Sequence, residues 1–311
     1  MTRVRTTVDV GRGLALRNPI LTASGTFGYG LEFEPFLDLA ALGGIVVKGI
    51  SPHERGGNPP PRLVETPSGM LNAIGLQNVG VERFVAEKLP ALSERDTAVV
   101  VNVYGHSVDD YVAVAAALEA ERGVAALELN LSCPNVKEGG LEIGRSPEQI
   151  RRVTAAVRAE TAKPLWVKLT PNVTDIVVMA EAAVDGGADA ISLVNTFVGM
   201  VIDVESRQPV LSHGTGGLSG PAIRPLAIAM VYQVARAVRV PLIGIGGIVC
   251  VRDVVEFLLA GASAVQVGTA NYNDPGIAER LVGELARWCG ERSVADVSDL
   301  IGAALPDRGA R

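Results

Sequence analysis

The sequence predicts a (β/α)₈ barrel, the TIM-barrel class of α/β fold, and three observations lead to this prediction. Eight short runs rich in valine, isoleucine and leucine recur along the chain, and such near-continuous hydrophobicity is typical of buried parallel strands. The stretches between them show helical periodicity and helix-start residues such as Ser107 and Ser146. No GxGxxG fingerprint follows an early strand, which disfavours the alternative, a doubly wound open sheet.

The predicted elements follow one another in a regular order. Residues 1–18 form an N-terminal hairpin that turns at Gly11-Arg12-Gly13. The strands are assigned to residues 19–23, 44–48, 98–103, 125–130, 164–169, 189–194, 240–245 and 263–268. The long stretches 50–80 and 197–220 follow strands, so we expect them to be active-site insertions at the carboxyl ends of the strands. We expect residues 1–311 to form a single domain.

Composition excludes several classes of protein. A hydrophobic share of 48% is too high for a disordered chain, and the 35 glycines show no three-residue collagen period. A net charge of −6 gives no electrostatic signal for nucleic acid or an anionic membrane. Cys133, Cys250 and Cys289 form no CxxC pair, so we expect no disulfide framework and no metal site. Without a recognisable signal peptide or membrane span, we expect a cytoplasmic protein.

Polar residues or glycines close every predicted strand. In a barrel these strand ends converge on one mouth, the face that carries the chemistry of barrel enzymes. They are Ser24, Lys48, Asn102, Asn130, Lys168, Asn195, Gly246-Gly247 and Gly268-Thr269. The glycine sites after the seventh and eighth strands predict a phosphate site, with Gly220 as a further donor, because glycine lets backbone N–H groups approach an anion. The alternative is that these glycines only permit tight turns.

Two lysines and a cysteine at this mouth are the candidate reactive groups. Lys48 and Lys168 each have three open roles: forming a Schiff base, offsetting the charge of an anionic ligand, or pairing with a carboxylate. Cys133 lies three residues beyond the fourth strand, where a thiol serves as a base or nucleophile after a modest pKa shift. The alternative is that Cys133 is an inert buried residue, the role that we assign to Cys250 and Cys289.

Six motifs, taken together, identify a resemblance to a known family. They are NPPPR (58–62), GMLNAIGLQN (69–78), LNLSCPN (129–135), GTGGLSGPAIRP (214–225), IGIGGI (243–248) and AGASAVQVGTA (260–270). Over essentially its whole length the chain resembles the class 1 dihydroorotate dehydrogenases, specifically the type 1B catalytic subunit. Gly56-Gly57 departs from relatives that often carry an acidic residue at one of these positions.

The resemblance implies an FMN-binding barrel that oxidises (S)-dihydroorotate to orotate in pyrimidine biosynthesis. The FMN contacts it implies are Ser24, Lys48, Gly49, Asn102, Asn130, Lys168, Val194, Gly220, Gly246, Gly247, Gly268 and Thr269. The substrate contacts it implies are Lys48, Asn72, Ala73, Ile74, Gly75, Leu76, Asn130, Asn195 and Thr196.

The same resemblance implies how these residues act. The Cys133 thiolate removes the C5 proton of dihydroorotate while C6 delivers hydride to N5 of FMN. Lys48 offsets the substrate carboxylate, and Lys168 stabilises negative charge on the reduced flavin. Asn72, Asn130 and Asn195 hold the amide-like edges of the pyrimidine ring.

The implied assembly is a homodimeric core within a heterotetramer. A second subunit carries FAD and a [2Fe–2S] cluster, through which electrons reach NAD⁺. Three alternatives remain open at this point: a type 1A-like enzyme that uses fumarate, a Schiff-base aldolase that uses Lys48 or Lys168, and a catalytically idle flavoprotein scaffold.

Overall fold

A closed barrel of eight parallel strands forms the centre of the protein. The computed structural model describes residues 4–131, 137–138 and 141–306. The barrel strands are β1 (Ile20–Thr22), β2 (Gly44–Ile50), β3 (Ala98–Val103), β4 (Ala126–Asn130), β5 (Leu165–Lys168), β6 (Ala190–Leu193), β7 (Leu242–Ile245) and β8 (Ala264–Val267). Each strand pairs with the next along the chain, and β8 pairs with β1 to close the ring. The predicted fold class and all eight predicted strands are confirmed.

The strands are largely hydrophobic because helices cover the outside of the barrel and side chains fill its interior. Residues Val99–Val101 of β3 are all buried, although successive side chains point to opposite faces. This two-sided burial explains why most of each strand is an apolar run.

Helices follow seven of the eight strands. They are α1 (81–93, with a π-helical turn at Phe84–Lys88), α2 (Val108–Glu119), α3 (Pro147–Glu160), α4 (Ile176–Asp185), α5 (Arg224–Ala237), α6 (Val251–Leu259), α7 (Ala270–Asn273) and α8 (Ile277–Glu291). Ser107 and Ser146 cap α2 and α3 as predicted. Within the described part of the chain, no helix is both long and apolar enough to cross a membrane.

The connection from β1 to β2 differs from the expected alternation of strand and helix. It contains only the 3₁₀ turns Leu31–Phe33 and Leu39–Ala41. Gly28 and Gly30 adopt positive φ angles just before the first turn, and Pro35 lacks the N–H that a continuing helix needs. These residues prevent a regular α-helix in this connection.

The N-terminal hairpin and the long insertions lie at opposite ends of the barrel. Val8–Asp9 pairs with Ala15–Leu16, and the hairpin turn contacts Asp189, which directly precedes β6. At the other end, both insertions supply strands to one antiparallel sheet. In spatial order its strands are Phe197–Gly199, Gly216–Ser219, Gly69–Asn72 and Leu63–Thr66. This sheet holds the loop after Asn72 beside the barrel mouth.

Four smaller pairings complete the strand inventory of the described residues, among them an isolated antiparallel bridge between Arg55 and Asn78. Lys137–Glu138 pairs with Leu141–Glu142, and Ile202–Asp203 pairs with Gln208–Pro209. Arg5 forms an isolated parallel bridge with Asp296, which ties the N-terminal segment to the region after α8.

Candidate active site

A cavity of about 650 Å³ opens at the carboxyl ends of the barrel strands, within the usual range for small-molecule sites. Most of the predicted site residues line it. They are Ser24, Lys48, Gly49, Asn72, Ala73, Ile74, Gly75, Leu76, Asn130, Lys168, Val194, Asn195, Thr196, Gly220, Gly246, Gly247, Gly268 and Thr269. Asn102 lies deeper, fully buried in β3, beside the lining residue Gly49. Cys133 lies outside the described residues.

Glycines form a cradle on one side of the cavity. Gly247 has a φ of 72°, and a Cβ atom there would lie 2.8 Å from both the Gly220 carbonyl oxygen and the Arg224 Cβ. Asp253 fixes the following turn, because its carboxylate accepts hydrogen bonds from the backbone N–H groups of Val249 (2.8 Å) and Cys250 (3.0 Å). This cradle offers close backbone approach, as a bound phosphate requires.

The loop after Asn72 forms another wall, and Asn58 holds it in place. The Asn58 side chain donates to the Ala73 carbonyl at 2.8 Å, and its backbone N–H donates to the Ile74 carbonyl at 2.9 Å. Gly75 has a φ of 76°, and a Cβ there would lie 2.6 Å from Asn58. The wall is therefore pre-formed and leaves no room for a larger residue at position 75.

Amide side chains from different strand ends meet on the barrel side of this wall. The Asn195 side-chain amide donates to Asn130 Oδ1 at 3.4 Å, and the backbone carbonyl of Asn130 accepts from the Tyr111 hydroxyl at 2.8 Å. Asn172 donates to the Thr196 carbonyl at 3.0 Å. Such an arrangement presents fixed donors and acceptors to a planar ligand with amide edges.

Lys48 is half-buried at the cavity wall, and its environment changes its acidity. Burial lowers the pKa of its ammonium, the positive charge of Arg62 lowers it further, and Glu32 opposes the shift. A partly desolvated cation of this kind interacts more strongly with an anionic ligand than an exposed lysine does.

Lys168 reaches the cavity from below, and its surroundings include charged and amide side chains that sequence reasoning missed. Its ammonium lies 3.6 Å from Glu128 Oε1 and 3.5 Å from Gln266 Oε1. Glu128 and Gln266 stand inside otherwise apolar strands, and this anomaly was the signal that could have revealed them.

Further lining residues were also absent from the predicted set. Among them, Arg55 lies over the ring of Tyr104, 5.7 Å from its centroid, and the Tyr104 hydroxyl contacts His106. Burial and the charge of Arg55 lower the pKa of His106. The remaining polar or aromatic members include Thr26, Asn58, Thr170, Asn172, His213, Thr215, Ser219 and Tyr272.

The chain is similar to many known proteins along most of its length. The sequence model of the family described as Dihydroorotate dehydrogenase matches residues 7–288. Two relatives are named "Dihydroorotate dehydrogenase B (NAD(+)), catalytic subunit". The one from Pelobacter propionicus is 58% identical over 94% of this chain and 96% of its own, and the one from Geobacter sp. strain M21 is 55% identical over 94% and 95%.

A solved structure supports the fold. The dihydroorotate dehydrogenase of Eimeria tenella, in complex with ferulenol, superposes with a TM-score of 0.78 over 96% of this chain and 88% of that one. Its sequence identity is 24%, so this likeness concerns the fold. The family model covers most of the chain and the two bacterial relatives exceed half identity over nearly all of it. The chain therefore belongs to the dihydroorotate dehydrogenase family.

Proposed function

We propose that this chain is the catalytic subunit of an NAD⁺-linked dihydroorotate dehydrogenase, which oxidises (S)-dihydroorotate to orotate in pyrimidine biosynthesis. The observation that carries the proposal is the meeting, in one cavity, of a glycine cradle, two lysines and a set of amide side chains. The names of the bacterial relatives supply the reaction class and the NAD⁺ linkage. They favour the type 1B assignment over the fumarate-using and aldolase alternatives.

FMN fits the residues on the glycine side and at the floor of the cavity. A Cβ at Gly220, Gly246 or Gly247 would lie 2.7–3.0 Å from neighbouring protein atoms, so these positions require glycine and leave bare backbone at the cavity, as phosphate binding needs. Asn102 Oδ1 is buried and has no hydrogen-bond partner among the described residues, so it is an acceptor suited to a ligand N–H. When bound, FMN supplies the hydride acceptor of the reaction. The remaining proposed FMN contacts are Ser24, Lys48, Gly49, Asn130, Lys168, Val194, Gly268 and Thr269.

The other residues bind and orient the substrate in this proposal. Asn72, Asn130 and Asn195 hydrogen-bond the amide edges of the pyrimidine ring, and Lys48 offsets its carboxylate. Cys133 removes the proton from C5, a role that rests on the LNLSCPN motif. Ala73, Ile74, Gly75, Leu76 and Thr196 complete the proposed substrate contacts.

We propose a cytoplasmic heterotetramer in which two copies of this chain form the core. Exposed apolar side chains on the 198–204 segment support contact with a second copy, since Val198, Met200, Ile202 and Val204 are 48–79% exposed. A partner subunit with FAD and a [2Fe–2S] cluster carries electrons to NAD⁺. The words "catalytic subunit" in the relatives' names support such a partner.

Co-expression of this chain with its partner subunit tests the proposal. We expect the purified complex to contain FMN, FAD and iron, and to reduce NAD⁺ when dihydroorotate is added. The chain alone serves as the control, and we expect it to oxidise dihydroorotate with an artificial acceptor but to leave NAD⁺ unchanged. NAD⁺ reduction by the chain alone would contradict the role of the partner, and fumarate reduction would favour the type 1A-like alternative.

The lowered pKa of Lys48 predicts a pH dependence of substrate binding. The ammonium is charged below its pKa and neutral above it, so the affinity for a carboxylate falls as pH rises through that value. We expect the KM for dihydroorotate to rise with increasing pH, and this rise should begin at a lower pH than it would if the carboxylate were bound by an exposed lysine of ordinary pKa. Lys48→Arg is the matched variant, because arginine stays charged and should abolish this alkaline rise. The same rise of KM in both proteins would contradict the assignment.

A further inference from the structure

We propose that Glu128 is a positioning residue: its carboxylate holds the Lys168 ammonium at the cavity floor and lowers the reduction potential of the flavin bound above it. This inference rests on the FMN site proposed above. Glu128 itself does not line the cavity; it holds Lys168, which does, and its own negative charge offsets that of the ammonium.

The position of Glu128 places its side chain on the barrel axis. Glu128 lies in the middle of β4, in register with Asn102 of β3 and Trp166 of β5. Its hydrogen-bond partner Gln266 belongs to β8, which is four strands away from β4 in either direction around the ring. The Glu128–Gln266 hydrogen bond therefore crosses the barrel interior directly beneath the mouth.

Glu128 lies at the centre of a buried polar network. Asn102 Nδ2 donates to Glu128 Oε1 at 2.8 Å, and Gln266 Nε2 donates to Glu128 Oε2 at 2.6 Å. Lys168 Nζ lies 3.6 Å from the first of these carboxylate oxygens. Glu128, Asn102 and Gln266 are 0% exposed and Lys168 is 4% exposed, so solvent does not screen this network.

The hydrogen-bond directions assign a negative charge to Glu128. Both carboxylate oxygens receive N–H donors, and the third neighbour is an ammonium, whereas a protonated carboxyl needs an acceptor. Gln266 is oriented by the same logic, because its oxygen faces Lys168 and its NH₂ faces Glu128. The reverse orientation would turn the Gln266 NH₂ toward the Lys168 ammonium and its oxygen toward the Glu128 carboxylate, and both contacts would be repulsive. Glu128 and Lys168 are thus a buried ion pair with oriented amides on two sides.

This pairing sets the charge that a ligand at the cavity floor experiences. With Glu128 ionised, the ammonium beneath the ligand is largely compensated. Neutralising Glu128 leaves an uncompensated buried cation, which stabilises an electron-rich ligand relative to its oxidised form. Glu128→Gln should therefore raise the reduction potential of bound FMN.

The test is a redox titration of the FMN-loaded chain and its variants against reference dyes. For Glu128→Gln we expect the equilibrium constant for flavin reduction to increase about tenfold, which is about 30 mV for a two-electron couple. Glu128→Asp keeps the charge and should shift the potential by less than half as much. Glu119→Gln is the matched control, because Glu119 bonds the backbone N–H of Ala162 at the opposite end of the barrel. We expect it to leave the potential unchanged.

A buried lysine without its counterion can prevent folding, so a second pair of variants measures the same effect. The potential of Lys168→Met/Glu128→Gln is compared with that of Lys168→Met, and we expect the double variant to be higher. The two pairs are wild type with Glu128→Gln, and Lys168→Met with the double variant. If both proteins of either pair fold, bind FMN and have equal potentials, the inference is overturned while the proposed function stands. A wild-type chain that binds no FMN would overturn the proposed function and this inference with it.

Discussion

Cys133→Ser is expected to lower kcat by about 10²- to 10⁴-fold near neutral pH, the usual contribution of a general base. A serine hydroxyl is far harder to deprotonate than a thiol, whose ordinary pKa is about 8.5. The loss should shrink at alkaline pH as the hydroxyl becomes easier to activate. Steady-state turnover of dihydroorotate with an artificial acceptor, measured across pH, gives this profile.

Cys250→Ser is the matched control for the cysteine substitution. Cys250 is the N-cap residue of α6, a position where serine is a preferred residue, so we expect full activity and no loss of stability. Both variants should retain FMN, because the glycine cradle is unchanged. An undiminished kcat in Cys133→Ser at neutral pH would contradict the base assignment.

Gly247→Ala is expected to weaken FMN binding about 10- to 100-fold. The new Cβ would lie 2.8 Å from the Gly220 carbonyl oxygen, and the φ of 72° is unfavourable for alanine. Displacing the cradle at a local cost of about 1–3 kcal/mol corresponds to this range of affinity. Fluorescence titration of the unloaded chain with FMN measures the change.

Gly13→Ala separates the effect on the cradle from backbone strain alone. Gly13 has a φ of 75°, nearly that of Gly247, but nothing lies within 4 Å of its virtual Cβ, and it belongs to the distant N-terminal hairpin. We expect this variant to lose a similar amount of stability through strain and to bind FMN normally. Equal FMN affinities in the two variants would contradict the assignment of the cradle.

The barrel strands were predictable because their burial on two faces leaves an unambiguous pattern. A run such as Val99–Val101 has no polar face. In a chain where such runs alternate regularly with helices, a buried parallel strand is the structure that fits it. The β1–β2 connection was less predictable. There, Gly28, Gly30 and Pro35 limit the chain to 3₁₀ turns. The spacing of the strands predicted a helix in this connection because it does not take the backbone effects of these three residues into account.

The candidate site was predictable where single residues mark strand ends, and less so where it depends on contacts. Gly246 and Gly247 are visible as a pattern after a strand, because the barrel fixes where that strand ends. The close contact of Asn58 with Gly75 and its hydrogen bond to Ala73 depend on how the insertion folds, which the sequence pattern does not reveal. The bond from Glu128 to Gln266 joins residues 138 positions apart, and only the closed ring brings them together.

The proposed reaction is tested most directly by adding (S)-dihydroorotate to the FMN-loaded chain under anaerobic conditions and recording its visible absorbance. We predict that the flavin absorbance bleaches at once and that orotate forms in an amount equal to the flavin reduced. An FMN-loaded chain whose flavin stays oxidised after this addition would contradict the proposed function.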